Sequence, residues 1–285
     1  HLCHPRNLWI AFRRDWAIPA PGALEEILHE RFFRVFHLCH LHNLCTLRVV
    51  FRWYTMKQHS EFFQGFSRKE PFVLNVIDLT QTICPSMPVY PGTEPPRIEE
   101  ATTIQKEGFA EKLLTFYSHT GTHMDAPAHL LPGKATLDSF DAAHFIGPAT
   151  VGDFRKVPSA TIGLKNLTPL KENLEKGGFL ILYTGWSRFW GQEEYFGKYP
   201  VLTQEACQWL TRFPLQGIAM DMISIDSMDS FELENHRIIL GAGMVIVENL
   251  TNLEALPEES FTLCCLPLKI EKSDGAPVRA VGLCR

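Results

Sequence analysis

The chain has 285 residues, enough for one large domain or two smaller ones, and 45% of them are hydrophobic, ample for a soluble core. A formal net charge of −5 argues against a general nucleic-acid binder. No apolar run approaches the roughly 20 residues needed to span a bilayer, and the N-terminus does not read as a secretory signal, so no membrane association is expected.

The first fifty-odd residues differ in character from the rest. Half of the twelve histidines (His1, His4, His29, His37, His40 and His42) and Cys3, Cys39 and Cys45 fall here, while the first lysine is Lys57. Seven arginines against four acids give residues 1–55 a charge of +3, leaving −8 for 56–285. His37, Cys39, His40, His42 and Cys45 lack the paired spacing of a zinc finger. Residues 24–36 offer only a short amphipathic helix. Residues 1–71 are therefore expected to be an atypical N-terminal extension, with 1–55 non-native or disordered ahead of Met56, and 72–285 the functional domain.

From residue 72 onward the pattern alternates strands and helices. Residues 72–79 are β-branched and apolar, as a strand should be. Residues 113–118 are expected to form a strand that leads into a polar turn, and 179–184 a short buried strand. Residues 203–211 read as a helix with Thr203 near its N-cap. Strands are expected again at 217–225 and 244–248. Residues 261–269 and 278–283 flank Lys272-Ser273-Asp274-Gly275, a hairpin turn. The sum is a mixed α/β domain of about 210 residues without internal repeats.

Several features are read as structural. Cys264 and Cys265 are adjacent and point to opposite strand faces, and Cys207 lies on the buried face of its helix. Without a paired cysteine framework, a reducing cytoplasm is expected. His144 reads as a surface or capping residue. Asp221, Asp226 and Asp229 lack the glycine and terminal glutamate of a calcium loop. Gly241-Ala242-Gly243 lacks the third glycine of a dinucleotide fingerprint. Gly185-Trp186-Ser187-Arg188-Phe189 lacks the final glycine of a nucleophile elbow, which disfavours a serine hydrolase.

The chemistry concentrates in His119-Thr120-Gly121-Thr122-His123-Met124-Asp125-Ala126-Pro127-Ala128-His129, three imidazoles and a carboxylate within eleven positions. Imidazole and carboxylate are the usual ligands for zinc, manganese and iron. Histidine also titrates near neutral pH, so one of the three is available as a proton shuttle. Fully extended, residues 119 to 123 would hold their imidazoles roughly 13 Å apart, too far for one ion with bonds near ~2 Å. A helix-like turn would bring i and i+4 to about 5–6 Å. Gly121 and Pro127 oppose a regular helix. The segment is therefore expected to be a tight turn, or a single helical turn that unwinds as it delivers Asp125 and His129.

This segment resembles the H-x-G-T-H-x-D-x-P-x-H signature of the metal-dependent cyclase family, which includes bacterial kynurenine formamidase and isatin hydrolase. Val76-Ile77-Asp78-Leu79-Thr80 and Met87-Pro88-Val89-Tyr90-Pro91-Gly92 resemble the family's opening strand and its P-V-aromatic-P-G substrate loop. Tyr183-Thr184-Gly185-Trp186 is similar to its T-G-W turn. His236-Arg237-Ile238-Ile239-Leu240 and Gly243-Met244-Val245-Ile246-Val247-Glu248-Asn249-Leu250 resemble its H-x-x-L-L and G-I-x-I-x-E-N-L stretches. The resemblance runs from about Val76 to the C-terminus.

It implies a swivelling β/β/α-type single domain. By position, His119, His123 and Asp125 match the first metal ligands and His129 the general acid/base. His236 and Glu248 match ligands that complete a second, carboxylate-bridged metal site. Tyr90 stands where an aromatic borders the substrate, usually a tryptophan, and Tyr90 and Trp186 are candidates to sandwich an aromatic ring. The implied cofactor is zinc or manganese, as one or two ions, and the implied assembly a homo-oligomer. The implied activity is hydrolysis of a small aromatic amide, N-formylkynurenine to formate and kynurenine, with opening of a cyclic amide such as isatin as the alternative. A non-catalytic metal-binding protein would also keep the ligands, but would not need His129.

Overall fold

Thirteen strands and five short α-helices are present among the described residues, 74–157, 161–257 and 261–284 of this computed structural model. In chain order the strands are β1 (Asn75–Asp78), β2 (Arg97–Thr102), β3 (Glu111–Thr115), β4 (His123–Asp125), β5 (Ile146–Asp153), β6 (Thr161–Ile162), β7 (Gly178–Tyr183), β8 (Val201–Leu202), β9 (Leu215–Met220), β10 (Val245–Glu248), β11 (Phe261–Cys264), β12 (Gly275–Pro277) and β13 (Val281–Cys284). The helices are α1 (Ile104–Glu107), α2 (Leu164–Leu167), α3 (Lys171–Leu174), α4 (Gln204–Leu210) and α5 (Glu234–Gly241). The expected extension, the amphipathic helix at 24–36, the cysteine–histidine cluster at 37–45 and the boundary at 71/72 lie outside the described residues.

Nine strands form one mixed sheet in the order β1-β13-β11-β5-β7-β9-β10-β4-β12. Its centre, β5-β7-β9-β10, is parallel, and antiparallel strands flank it on both sides. Strands β2 and β3 pair as a separate antiparallel ribbon, and β6 and β8 as a short parallel pair. The central strands are continuous apolar runs because both their faces are covered. All six residues of β7 (Gly-Phe-Leu-Ile-Leu-Tyr) are buried.

Side chains alternate between faces with period two, and this sorts the core into two clusters. Leu180, Leu182, Ile218, Met220 and Ile246 pack on one face with Ala206, Cys207, Leu210, Ile239 and Leu240 of α4 and α5. Phe179, Ile181, Tyr183, Ala219, Val245 and Val247 pack on the other with Met124, Leu263 and Ala276. Each fully buried aliphatic contributes roughly 1.5–3 kcal/mol, so the two clusters hold the central strands rigidly in register.

The expected elements are largely present, with four differences. Helix α4 lies inside 203–211, and Thr203 is its N-cap, its hydroxyl accepting from Ala206 N at 3.1 Å. The strand expected at 113–118 ends at Thr115. The strand expected at 217–225 ends at Met220, where the buried Asp221 carboxylate takes up neighbouring donors and the chain bends. The helical turn considered for 119–129 is instead a bend, a short strand and a 3-10 turn at Pro127–His129. The simple hairpin around 272–275 is interrupted, because β12 leaves the turn to pair with β4 before β13 returns to β11.

Candidate metal-dependent active site

The site is built at the carboxyl ends of β9 and β10, where α/β sheets commonly bind ligands. Antiparallel pairing sets His123 of β4 opposite Glu248 of β10, and Asp125 opposite Ile246. Met124 and Val247 between them point into the apolar core. Alternation alone therefore brings His123, Asp125 and Glu248 to one face. The i,i+2 spacing of His123 and Asp125 works because this stretch is a strand.

His119 reaches the same place by a sharp bend. Gly121 adopts φ +65°, a left-handed conformation that glycine takes without steric cost, and Ile83 packs 3.1 Å from where a Cβ would stand. The bend brings the His119 and His123 ring centroids to 5.2 Å. The reversal that the ligand spacing demands is thus made at one glycine. Beyond Asp125, Pro127 opens a 3-10 turn whose last residue, His129, stands with its ring 4.0 Å from that of His119.

His236 arrives from the first turn of α5. Asp226 accepts from the amides of Asn235 (2.9 Å) and His236 (3.0 Å), so it caps the helix, and the His236 Nδ1–H donates to its Oδ2 at 2.7 Å. That leaves Nε2 facing Asp125 Oδ2 at 3.5 Å and Glu248 Oε1 at 3.4 Å. His123 follows the same logic. Its Nδ1 donates to the Gly121 carbonyl at 2.9 Å, and its Nε2 lies 3.2 Å from Asp125 Oδ1 and 3.5 Å from Glu248 Oε2. His119 has Asp125 Oδ1 at 2.6 Å from Nδ1 and Asp274 Oδ2 at 2.9 Å from Nε2.

These distances fit a divalent ion. Two bonds of about 2.1 Å at a tetrahedral angle place ligand atoms about 3.4 Å apart, and the four contacts around His123, Asp125, His236 and Glu248 span 3.2–3.5 Å. Ligand atoms of His123, Asp125 and Glu248 lie within 4.8 Å of one another, as do those of His119, Asp125 and His129. Asp125 belongs to both groups, as expected of a bridging carboxylate.

The electrostatics fit as well. Burial disfavours a charge on His119, but Asp125 and Asp274 on its two nitrogens overcome this and raise its pKa to about 9. Burial likewise opposes charge on His236, and Asp125, Asp226 and Glu248 reverse it, holding the imidazole well above its ordinary range. Burial would raise the Asp125 carboxyl, yet His119 and His123 keep it well below the usual range. Glu248 is pushed up by burial and by Asp125. Burial also lowers His129, with neighbouring His119 and His236 adding to the effect, although Asp125 opposes it. A neutral His129 is a proton acceptor.

His119, His123, Asp125, His129, His236 and Glu248 are therefore brought together. Tyr90 sits on its loop, 43% exposed. Trp186 is partly committed to packing: its ring meets Tyr199 and Phe189, and its indole N–H donates to the Tyr195 carbonyl at 3.0 Å. The T-G-W turn is pinned by Asp221, which accepts from Thr184 N and Oγ1 and from Trp186 N. His144 stacks on Phe140 at 4.6 Å.

Sequence reasoning missed three supporting residues. In the sequence Asp226 suggests only a calcium loop, whose pattern it lacks. Asn249 (φ +61°) follows Glu248; it donates from Nδ2 to the Gly121 carbonyl at 2.8 Å and accepts from the Tyr195 hydroxyl at 2.6 Å, tying the His119 bend to β10. Asp274 stands in the sequence only as a turn residue. The available signal was an acidic residue ten positions before His236, an asparagine directly after Glu248, and an aspartate entering a strand.

A mixed α/β sheet carrying buried imidazoles around a shared carboxylate, with His129 beside them, is a candidate metal-dependent hydrolase site. Residues 77–227 match the Cyclase family, described as "Putative cyclase". Kynurenine formamidase of Bacillus cytotoxicus is 32% identical over 207 residues, which cover 72% of this chain and 95% of that protein. The solved structure of isatin hydrolase A from Ralstonia solanacearum superposes with a TM-score of 0.67 at 26% identity, over 77% of this chain and all of that one. A predicted metal-dependent hydrolase from Bacillus stearothermophilus gives a TM-score of 0.64 at 26% identity, over 75% and 100%. The chain belongs to the cyclase family of metal-dependent hydrolases.

Proposed function

We propose that this chain is an amidohydrolase that cleaves the C–N bond of a small aromatic amide, N-formylkynurenine foremost, giving formate and kynurenine. The observation that carries the reading is the convergence of two groups on Asp125, His123 with Glu248 and His119 with His129, whose ring lies 4.0 Å from that of His119. The relative named kynurenine formamidase, matched over 95% of its length, supports the substrate class.

His119, His123, Asp125, His236 and Glu248 would hold one or two divalent ions, zinc or manganese by ligand type. An ion held there supplies Lewis acidity to a water and to the amide carbonyl. His129 accepts the proton of the attacking water as the new C–O bond forms, then delivers it to the nitrogen that takes the electrons of the breaking C–N bond. Tyr90 and Trp186 border the aromatic ring. The catalytic unit is 72–285, acting as a homo-oligomer in the cytoplasm. Free cysteines at 84, 207, 264, 265 and 284 accord with a reducing compartment, and no helix among the described residues is long and apolar enough to cross a membrane.

A second reading, opening of a cyclic amide such as isatin, is favoured by the superposition on isatin hydrolase A. The test is elemental analysis of protein purified without added metal, followed by assays with N-formylkynurenine, simple formanilides and isatin. Turnover of the formamides with metal present supports the first reading. Turnover of isatin alone moves the assignment to the second, and metal binding without any turnover contradicts both.

A further inference from the structure

Asp274 lies at the entry to β12, outside every motif that carries the family resemblance. Its backbone carbonyl accepts from Ala126 N at 2.8 Å, which fixes its position against the 3-10 turn bearing His129. Its Oδ2 stands 2.9 Å from His119 Nε2 and 3.5 Å from His129 Nδ1, and the two imidazole rings are 4.0 Å apart. The next residue, Gly275, packs so closely on His119 that a Cβ there would lie 2.5–2.9 Å from three ring atoms. The ring is thus held from one side by backbone and at Nε2 by a carboxylate.

We infer that Asp274 is a shared positioning residue, one carboxylate that orients both a metal ligand, His119, and the acid/base, His129. This rests on the functional reading above. His123 and His236 have their non-ligating nitrogens fixed by the Gly121 carbonyl and by Asp226. Asp274 gives His119 the equivalent partner, leaving Nδ1 toward Asp125, and the same oxygen faces His129 Nδ1, leaving Nε2 for the reacting atoms. Outer partners of this kind typically change metal affinity or activity 10–100-fold when removed. Asp274 is 46% exposed in its side chain, so an isosteric change there leaves the core intact.

The experiment compares full-length wild type, Asp274→Asn, Asp274→Glu, His129→Ala and the Asp274→Asn/His129→Ala double variant. Affinity for Mn²⁺ is read by chelator competition, and kcat and KM on whichever amide of the panel the wild type turns over. Asp274→Asn is expected to weaken Mn²⁺ binding about 10-fold or more and, at saturating metal, to lower kcat about 10–100-fold with KM within roughly twofold. Asp274→Glu recovers part of both losses. In the His129→Ala background the same change should cost kcat little more, because residues acting as a unit are not additive. Unchanged Mn²⁺ affinity, or a kcat loss as large without His129 as with it, overturns the assignment. A wild type that hydrolyses nothing in the panel contradicts the functional reading instead, and the Mn²⁺ comparison then decides the role of Asp274 alone.

Discussion

Gly275 is the residue whose size matters most to the site. The backbone there touches the His119 ring with no space for a methyl group, so Gly275→Ala must push the imidazole away from Asp125. Metal affinity should fall about 10–100-fold, measured by chelator competition, while far-ultraviolet circular dichroism stays that of the parent chain. Unaltered affinity would mean His119 is not a ligand. The importance of this glycine was not legible in the sequence, where it reads as the end of a turn; the constraint comes from a ring 156 positions earlier and exists only once β12 has paired with β4. The candidate ligands were legible as a cluster, because five hetero-atom side chains in family order leave few other readings, and the structure brings them together. Asp226 and Asp274 were not, since a carboxylate that orients an imidazole has no fixed spacing from it.

At the scale of elements, period-two alternation does the sorting. In β4 and β10 it separates His123, Asp125 and Glu248 from Met124, Val245 and Val247. Neither strand is long enough for that alternation to stand out in the sequence, and the rule that a helical turn brings i and i+4 together displaced it at 119–129. What the one-dimensional pattern lacked was the strand pairing that fixes β4. Helix α4 was legible, because its cap is local. The Thr203 hydroxyl is the acceptor for Ala206 N, so Thr203→Ala should cost about 1 kcal/mol in a denaturant titration of the metal-loaded protein, with kcat unchanged. A loss below about 0.3 kcal/mol would indicate that the cap contributes nothing.

For the whole molecule, the charges of the site tie metal loading to pH and stability. In the metal-free chain the His119 pKa is raised from 6.5 to about 9. A raised imidazole stabilises the fold fully below about pH 6.5 and loses that contribution as pH climbs through 9. His236 acts in the same direction. The lowered carboxyls of Asp125 and Asp226 contribute above about pH 3.8, a contribution lost as pH falls further. The metal-free Tm should therefore decline between pH 6.5 and 9. A divalent ion displaces those protons, so the loaded chain should show a smaller decline, and metal affinity should rise across the same interval. Calorimetry in buffers of different ionisation enthalpy checks this by counting the protons released. A metal affinity flat from pH 6.5 to 9 would contradict it.

The central claim, that these residues form a hydrolytic centre with separate metal-holding and proton-carrying histidines, is tested most directly by measuring metal content and turnover together on His129→Ala beside His123→Ala. General acid/base catalysis contributes about 10²–10⁴-fold. His129→Ala should keep nearly the full metal complement and lose turnover within that range, whereas His123→Ala should lose both. A His129→Ala protein that turns over the substrate at near the parent rate would contradict the account.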